Sequence, residues 1–212
     1  MPVLVALAAL VVTTGAPNVN KLVLQPTQVG SGYKVYARAD GFGVKNTVTL
    51  DLCGRKNYPS EKLRTTRLQV NYAAKGDALG LSNEVVTYKT GGAQQAMQEV
   101  TQHAIHCPKT PVVTGEVGVP PLRFTITRLT DSKLLKGYLA VKIRVRGTVK
   151  VNGKETKVDQ TSYAVYQRLG DVLSGTYSYG PNTPAQLAFE LHAAEQSAQN
   201  LRRGHNVGSP TA

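Results

Sequence analysis

Lys142, Arg144, Arg146 and Lys150 punctuate the stretch "AVKIRVRGTVKV", alternating with Val141, Ile143, Val145, Val149 and Val151. A period of two is that of a strand with one apolar and one charged face. The chemistry open to such a row is anion binding, since between Lys133 and Lys157 eight Lys or Arg stand against one acid, Glu155. Tyr163, brought beside Lys142 by the turn described below, adds a ring for stacking. The competing account is structural: cations along a strand keep a face wet and block edge-to-edge aggregation. With Tyr163 the one aromatic on this face, nucleic acid is a poor fit, because single-strand binders interleave aromatics with the basic residues.

A second cluster, His103, His106 and Cys107 in "QHAIHC", has the spacing by which one helical face could present metal ligands, but a fourth ligand would have to come from Cys53 or elsewhere. Cys53 and Cys107 are the chain's two cysteines. In an exported protein such a pair is expected to be a disulfide, and in a cytosolic one two thiols. Catalytic signatures are missing: no G-x-S-x-G, no G-x-x-x-x-G-K-[ST] and no G-x-G-x-x-G, while the thirteen acids are scattered without a close pair. The reading calls for no enzyme activity, no cofactor and no metal.

The elements that must position these residues follow from the pattern of the chain. Its 212 residues, 41% hydrophobic with 18% charged, fit a single domain, and a net charge of +12 favours anionic partners. "VLVALAALVV" from Val3 to Val12 has the length of a secretory-signal core, too short to span a bilayer, although nothing basic precedes it; the end of a longer anchor is the alternative. Residues 1–20 are therefore expected to be a signal-like or anchoring segment with a linker, 21–203 one domain, and 204–212 a disordered tail. Alternation predicts strands at Tyr33–Ala37, Val48–Leu52, Leu68–Tyr72 and Glu84–Tyr88. A helical period carries Ala93, Met97, Val100, Ala104 and Cys107, and another carries Leu187, Leu191, Ala194, Ala198 and Leu201, with Thr183 and Pro184 at its start. Asn152-Gly153 is a type I′ hairpin signal that sets Lys150 opposite Glu155, Arg146 opposite Asp159, Arg144 opposite Thr161 and Lys142 opposite Tyr163. A second turn at Gly170-Asp171 sets Ala164 opposite Tyr177 and completes a three-stranded meander.

The order of "NKLVLQPTQVGSGYKV", a Cys after a strand, "EVVTYKTGGAQQAMQEVTQHAIHCP" and "YAVYQRLGDVLSGTYSYGPNTPAQLAFELHAAEQSAQNL" resembles the extracytoplasmic sensor domain of PknH-type actinobacterial kinases and related exported proteins. The resemblance covers most of Lys21 to Leu201 and rests on element order, while the chain lacks a second Cys pair and any Trp. It implies an α+β domain, a curved antiparallel sheet with two main helices packed on one face, a Cys53–Cys107 bridge and a ligand site outside the membrane. The expected function is thus that of a non-catalytic exported sensor or binding domain, monomeric, secreted or at the cell surface. Lys142, Arg144, Arg146 and Tyr163 would contact an anionic small molecule or cell-envelope polymer, with membrane proximity possible. The alternatives are a small exported hydrolase with an unrecognised site and a basic nucleic-acid-binding protein.

Overall fold

The computed structural model describes residues 17–40, 52, 58–76, 79–107, 122–151, 153–180 and 183–206. The apolar run Val3–Val12, Cys53, the strand expected at Val48–Leu52 apart from Leu52, the Pro- and Gly-rich connector of residues 108–121 and the tail beyond Asn206 lie outside them.

Two one-turn helices open the described chain: α1 (Val19–Leu22), capped by Asn18 through the amide of Asn20, and α2 (Pro26–Val29), closed by reciprocal bonds between Gln25 and Gln28. Then come β1 (Tyr33–Asp40), a 3-10 turn at Pro59–Leu63, β2 (Arg64–Ala74), β3 (Gly80–Tyr88) and α3 (Gly92–His106). The second half contributes β4 (Arg123–Leu129), β5 (Leu139–Val151), β6 (Lys154–Leu169), β7 (Val172–Gly180) and α4 (Pro184–Asn206). All six strand pairings are antiparallel, in the order β1-β2-β3-β7-β6-β5-β4. One sheet therefore runs through both halves, joined where β3 pairs with β7.

Successive residues of these strands enter different cores, as the pleat requires. Val86, Leu173, Ala164 and Val141 pack with Ala93, Ala96, Met97 and Val100 of α3. Their neighbours Val85 and Val172 pack with Ala193, Ala198 and Leu201 of α4, together with Leu22 and Val29 from the N-terminal helices. Ala140 and Val165 meet Ala194 on that same side. The two main helices thus cover opposite faces of the sheet, which corrects the expectation of one shared face. The reason lies in β3, whose residues are buried from Gly80 to Tyr88; a strand enclosed on both sides needs a cover on each.

The last helix also differs from its apolar reading. Its buried stripe is Gln186, Glu190, Ala193, Ala194, Ser197, Ala198 and Leu201, whereas Leu187 and Leu191 are half-buried. The strand beneath it decides this, because β7 offers Ser174, Thr176 and Ser178 to that face, and buried hydroxyls need partners. Ser197 bonds Ser174 (2.7 Å), Thr176 donates to Glu190 (2.6 Å), and Gln186 reaches the carbonyl of Thr161 (3.3 Å). Thr183 accepts from the Gln186 amide, as its place before Pro184 suggests, and the helix runs past Arg203 to Asn206. β4 is absent from the reading above, although Phe124 and Ile126 alternate with Arg123, Thr125 and Thr127.

Asn83 ties three elements together from the middle of β3. Its side-chain oxygen accepts from the Leu24 amide (2.9 Å), and its nitrogen donates to Ser174 Oγ and the Gly175 carbonyl (3.0 Å each). Asn83→Ala strands a buried amide and two buried acceptors, so it should lower unfolding free energy by about 2–3 kcal/mol. Urea denaturation measures this; a change within error would show that the N-terminal segment docks without Asn83.

Candidate functional site

The charged hairpin is built by register. Gly153 has φ +77°, the left-handed conformation its turn requires, while Asn152 lies outside the described residues. From there the chain pairs Lys150 with Glu155, Arg146 with Asp159, Arg144 with Thr161 and Lys142 with Tyr163, as the turn sequence predicts. The second turn pairs Ala164 with Tyr177 and Ser162 with Tyr179, also as expected. β7 reaches along β6 as far as Thr161, and β4 reaches along β5 as far as Arg146. Beyond those points β5 and β6 continue as a two-stranded ribbon.

One face of this ribbon and its base carries, by register, Arg123, Lys142, Arg144, Arg146, Lys150 and Lys157 against Glu155 and Asp159. Arg123 sits opposite Arg146, a contribution the sequence reading missed with β4 itself. Asp159 organises the group: Arg144 donates from Nε to Oδ1 (2.7 Å) and from Nη2 to Oδ2 (2.6 Å). Arg146, the residue directly opposite Asp159, keeps its Nε 3.6 Å from Oδ2 and is 56% exposed. The sequence leaves Arg144 unpaired and gives Asp159 to Arg146; in the structure the diagonal neighbour makes the closer, forked bond, which a long side chain on a pleated sheet can reach. The Arg144 hydrogen bond holds the Asp159 carboxyl below the usual carboxylate range. Arg146 is therefore the better placed of the two to meet an anion from outside.

Tyr163 occupies its register position with Lys142 Nζ 5.9 Å from the ring centroid, but it is only 4% exposed. The expectation of a ligand-stacking ring is corrected: α4 shares this face, and the ring supports Lys142 instead of facing water. Cys107 is buried at the end of α3 and is not a free thiol; with Cys53 outside the described residues, their pairing enters below as a proposal. The ring of His103 stands edge-on to Tyr58, and His106 Nδ1 lies 2.7 Å from the Gln102 carbonyl oxygen.

Two acids that carried no signal in the sequence lie deep in the fold, one on each face. Glu84 of β3 is bonded to Arg67 Nε, with the Tyr177 hydroxyl 3.4 Å from its other oxygen, and burial pushes it up to about 7 against the pull of Arg67. Arg67 also holds Gln69 (2.9 Å), and Gln69 holds Ser82 (2.9 Å), so the pair anchors a polar chain across β2 and β3. Among the described residues no cation pairs with Glu190 of α4: burial raises its carboxyl to about 7, opposed chiefly by the hydrogen bond from Thr176.

No family model and no curated protein matches the chain. Among solved structures it is similar to the extracellular domain of PknH from Mycobacterium tuberculosis, with a TM-score of 0.59 at 14% identity over 87% of this chain and 94% of that one. At that identity the likeness is one of fold: an antiparallel sheet with helices.

The buried acids give the fold a pH dependence of definite sign. Glu190 ionises near 4.5 in the unfolded chain and near 7 in the fold, so between those values the unfolded state releases its proton first. Stability is full below about pH 4.5 and falls as pH rises through about 7. Glu190→Gln should flatten this decline and raise the melting temperature at pH 8 relative to wild type, with little gain at pH 4.5. Melts across that range measure it, and parallel curves for both proteins would contradict a neutral buried Glu190.

Proposed function

We propose that the chain is a non-catalytic extracytoplasmic sensor or binding domain that meets an anionic ligand through Lys142, Arg144 and Arg146, joined by Arg123. The observation that carries the reading is the fold likeness to the PknH extracellular domain across most of both chains. What supports the placement of the site is the concentration of cations on the ribbon face and the exposure of Arg146. A row of cations along an exposed ribbon offers a line of charge, which suits an acidic cell-envelope polymer or a clustered anionic headgroup better than a single small ion. Asp159 sets the geometry by fixing Arg144, and Tyr163 does the same for Lys142 from beneath.

The same reading includes a Cys53–Cys107 bridge, formed outside the cytoplasm, and removal or anchoring through the apolar segment near the N-terminus. Buried Cys107 at the end of α3 is consistent with a structural bond rather than a reactive thiol. Intact mass of protein from its native host reports both points, as loss of the N-terminal segment and a deficit of two hydrogens. A full-length mass with two alkylatable thiols would sink the export reading.

For the ligand, binding of inorganic polyphosphate should weaken about tenfold or more when ionic strength rises from about 0.05 to 0.5 M. The triple change Lys142→Ser, Arg144→Ser and Arg146→Ser should abolish it. Calorimetric titration decides; binding that ignores both salt and the triple change removes the ribbon from the site.

A further inference from the structure

The face of the sheet opposite the cation row carries a second surface, different in character from the charged ribbon. Four large hydrophobic side chains stand exposed among the described residues, and two of them meet here: Tyr36 (60%) and Tyr179 (41%). Tyr36 is the extra residue of a bulge in β1, while Tyr179 lies on β7, three strands away with β2 and β3 between. Their hydroxyls nevertheless meet at 2.8 Å, so the two side chains span the sheet between them.

What lets them do so is the row beneath. Register places Lys34, Ala73, Gly80 and Tyr179 side by side on adjacent strands. The floor between the ends is thus a methyl group and a bare Cα. A Cβ built on Gly80 would stand 2.1 Å from Cε2 and 2.5 Å from Cζ of Tyr179, which means that this edge of the ring lies directly on the β3 backbone and that any other residue would lift it. Gly80 has ordinary φ, so close approach and not backbone freedom is what demands glycine here. The ring is held at one end by its seat and at the other by the Tyr36 hydroxyl. Exposed aromatic surface fixed in this way loses little freedom when something settles on it.

We propose that the Tyr36–Tyr179 plate is a carbohydrate-binding surface that takes a flat, equatorially linked oligosaccharide. The C–H face of a pyranose stacks on an aromatic face, and its hydroxyls need neutral donors and acceptors at the margin. The next rows of the sheet supply them in half-buried Asn71 and Gln69, while Ser82 between them is buried and already accepts from Gln69. Lys34 is the one charged residue of the Ala73–Gly80 row. That is too little for a nucleic-acid strand, which needs a cationic track beside the stacking rings. A second copy of the chain fits no better, because two tyrosines contribute at most about 500 Å², against about 800 Å² per partner in a stable interface. The plate matches a short run of sugar rings in both size and chemistry.

The test uses the full chain with cellohexaose and chitohexaose as probes, followed by tyrosine emission and calorimetry. At least one probe should give a saturable response, and Tyr36→Ala and Tyr179→Ala should each weaken it about tenfold or more. Gly80→Val, by lifting the Tyr179 ring, should do the same while both tyrosines remain. Arg146→Ser, on the charged ribbon, should leave sugar binding unchanged, which separates this site from the anion site. Tyr36 is exposed enough that its loss should leave the melting curve in place, so weakened binding by that variant reads the surface and not the fold. The proposal is overturned if neither sugar binds saturably, or if binding survives both alanine variants. It also fails if the variants instead alter sedimentation of the free protein, which would make the plate a self-contact.

Discussion

Everything in this fold depends on satisfying β3. The strand is buried along its whole length, yet five of its nine residues, Ser82, Asn83, Glu84, Thr87 and Tyr88, bring hydrogen-bonding side chains inside. Each buried polar group costs about 1–3 kcal/mol if left alone, so the neighbours are chosen to answer it. Asn83 fixes the N-terminal segment and β7; Glu84 takes Arg67 and Tyr177; Ser82 takes Gln69; Thr87 takes the hydroxyls of Thr65 and Thr66. The polar underside of α4 extends the same arrangement across β7. A core of this kind gains less from apolar area than an oily one, and gains in return a single permitted register, since a one-residue slip would break every one of these pairs at once.

The functional surfaces sit where that demand relaxes. At the ribbon, β5 and β6 outrun their neighbours, and the side chains there are free to carry charge. On the other face of the sheet, small residues in the middle strands leave room for the Tyr179 ring to reach across toward Tyr36. The first surface is organised by one carboxylate, Asp159, which commits Arg144 and leaves Arg146 more open. The second is organised by the absence of a side chain at Gly80. Both depend on the pairings of the central strands, because those set which residues stand opposite which.

Much of the second half was legible in the sequence because its information is local. Asn152-Gly153 and Gly170-Asp171 each define a tight turn, and strict alternation between them leaves one register that keeps the charges out, so the pairings from Lys142–Tyr163 to Lys150–Glu155 follow. What could not be read was nonlocal. The β3–β7 ladder joins residues about ninety apart, and only it reveals that β3 is central and needs a helix on each side. The burial of Tyr163 and of Glu190 has the same origin: both depend on where α4 lies, and the leucines at 187 and 191 point away from the stripe that packs. Arg144's claim on Asp159 was hidden for another reason, since straight register lists opposite neighbours and long side chains reach diagonal ones.

The β3–β7 ladder gives the connector between the halves an unexpected character. Residues 108–121 divide the chain into parts of similar length, as a linker between two modules would, yet eight paired positions of the sheet lie across that division. Severed there, each fragment would present a long bare edge shaped to the other, and neither would hold its own interior closed. The chain behaves as two complementary pieces sewn together, and reassembly of the cut pieces, rather than independent folding of either, is the behaviour this topology encodes.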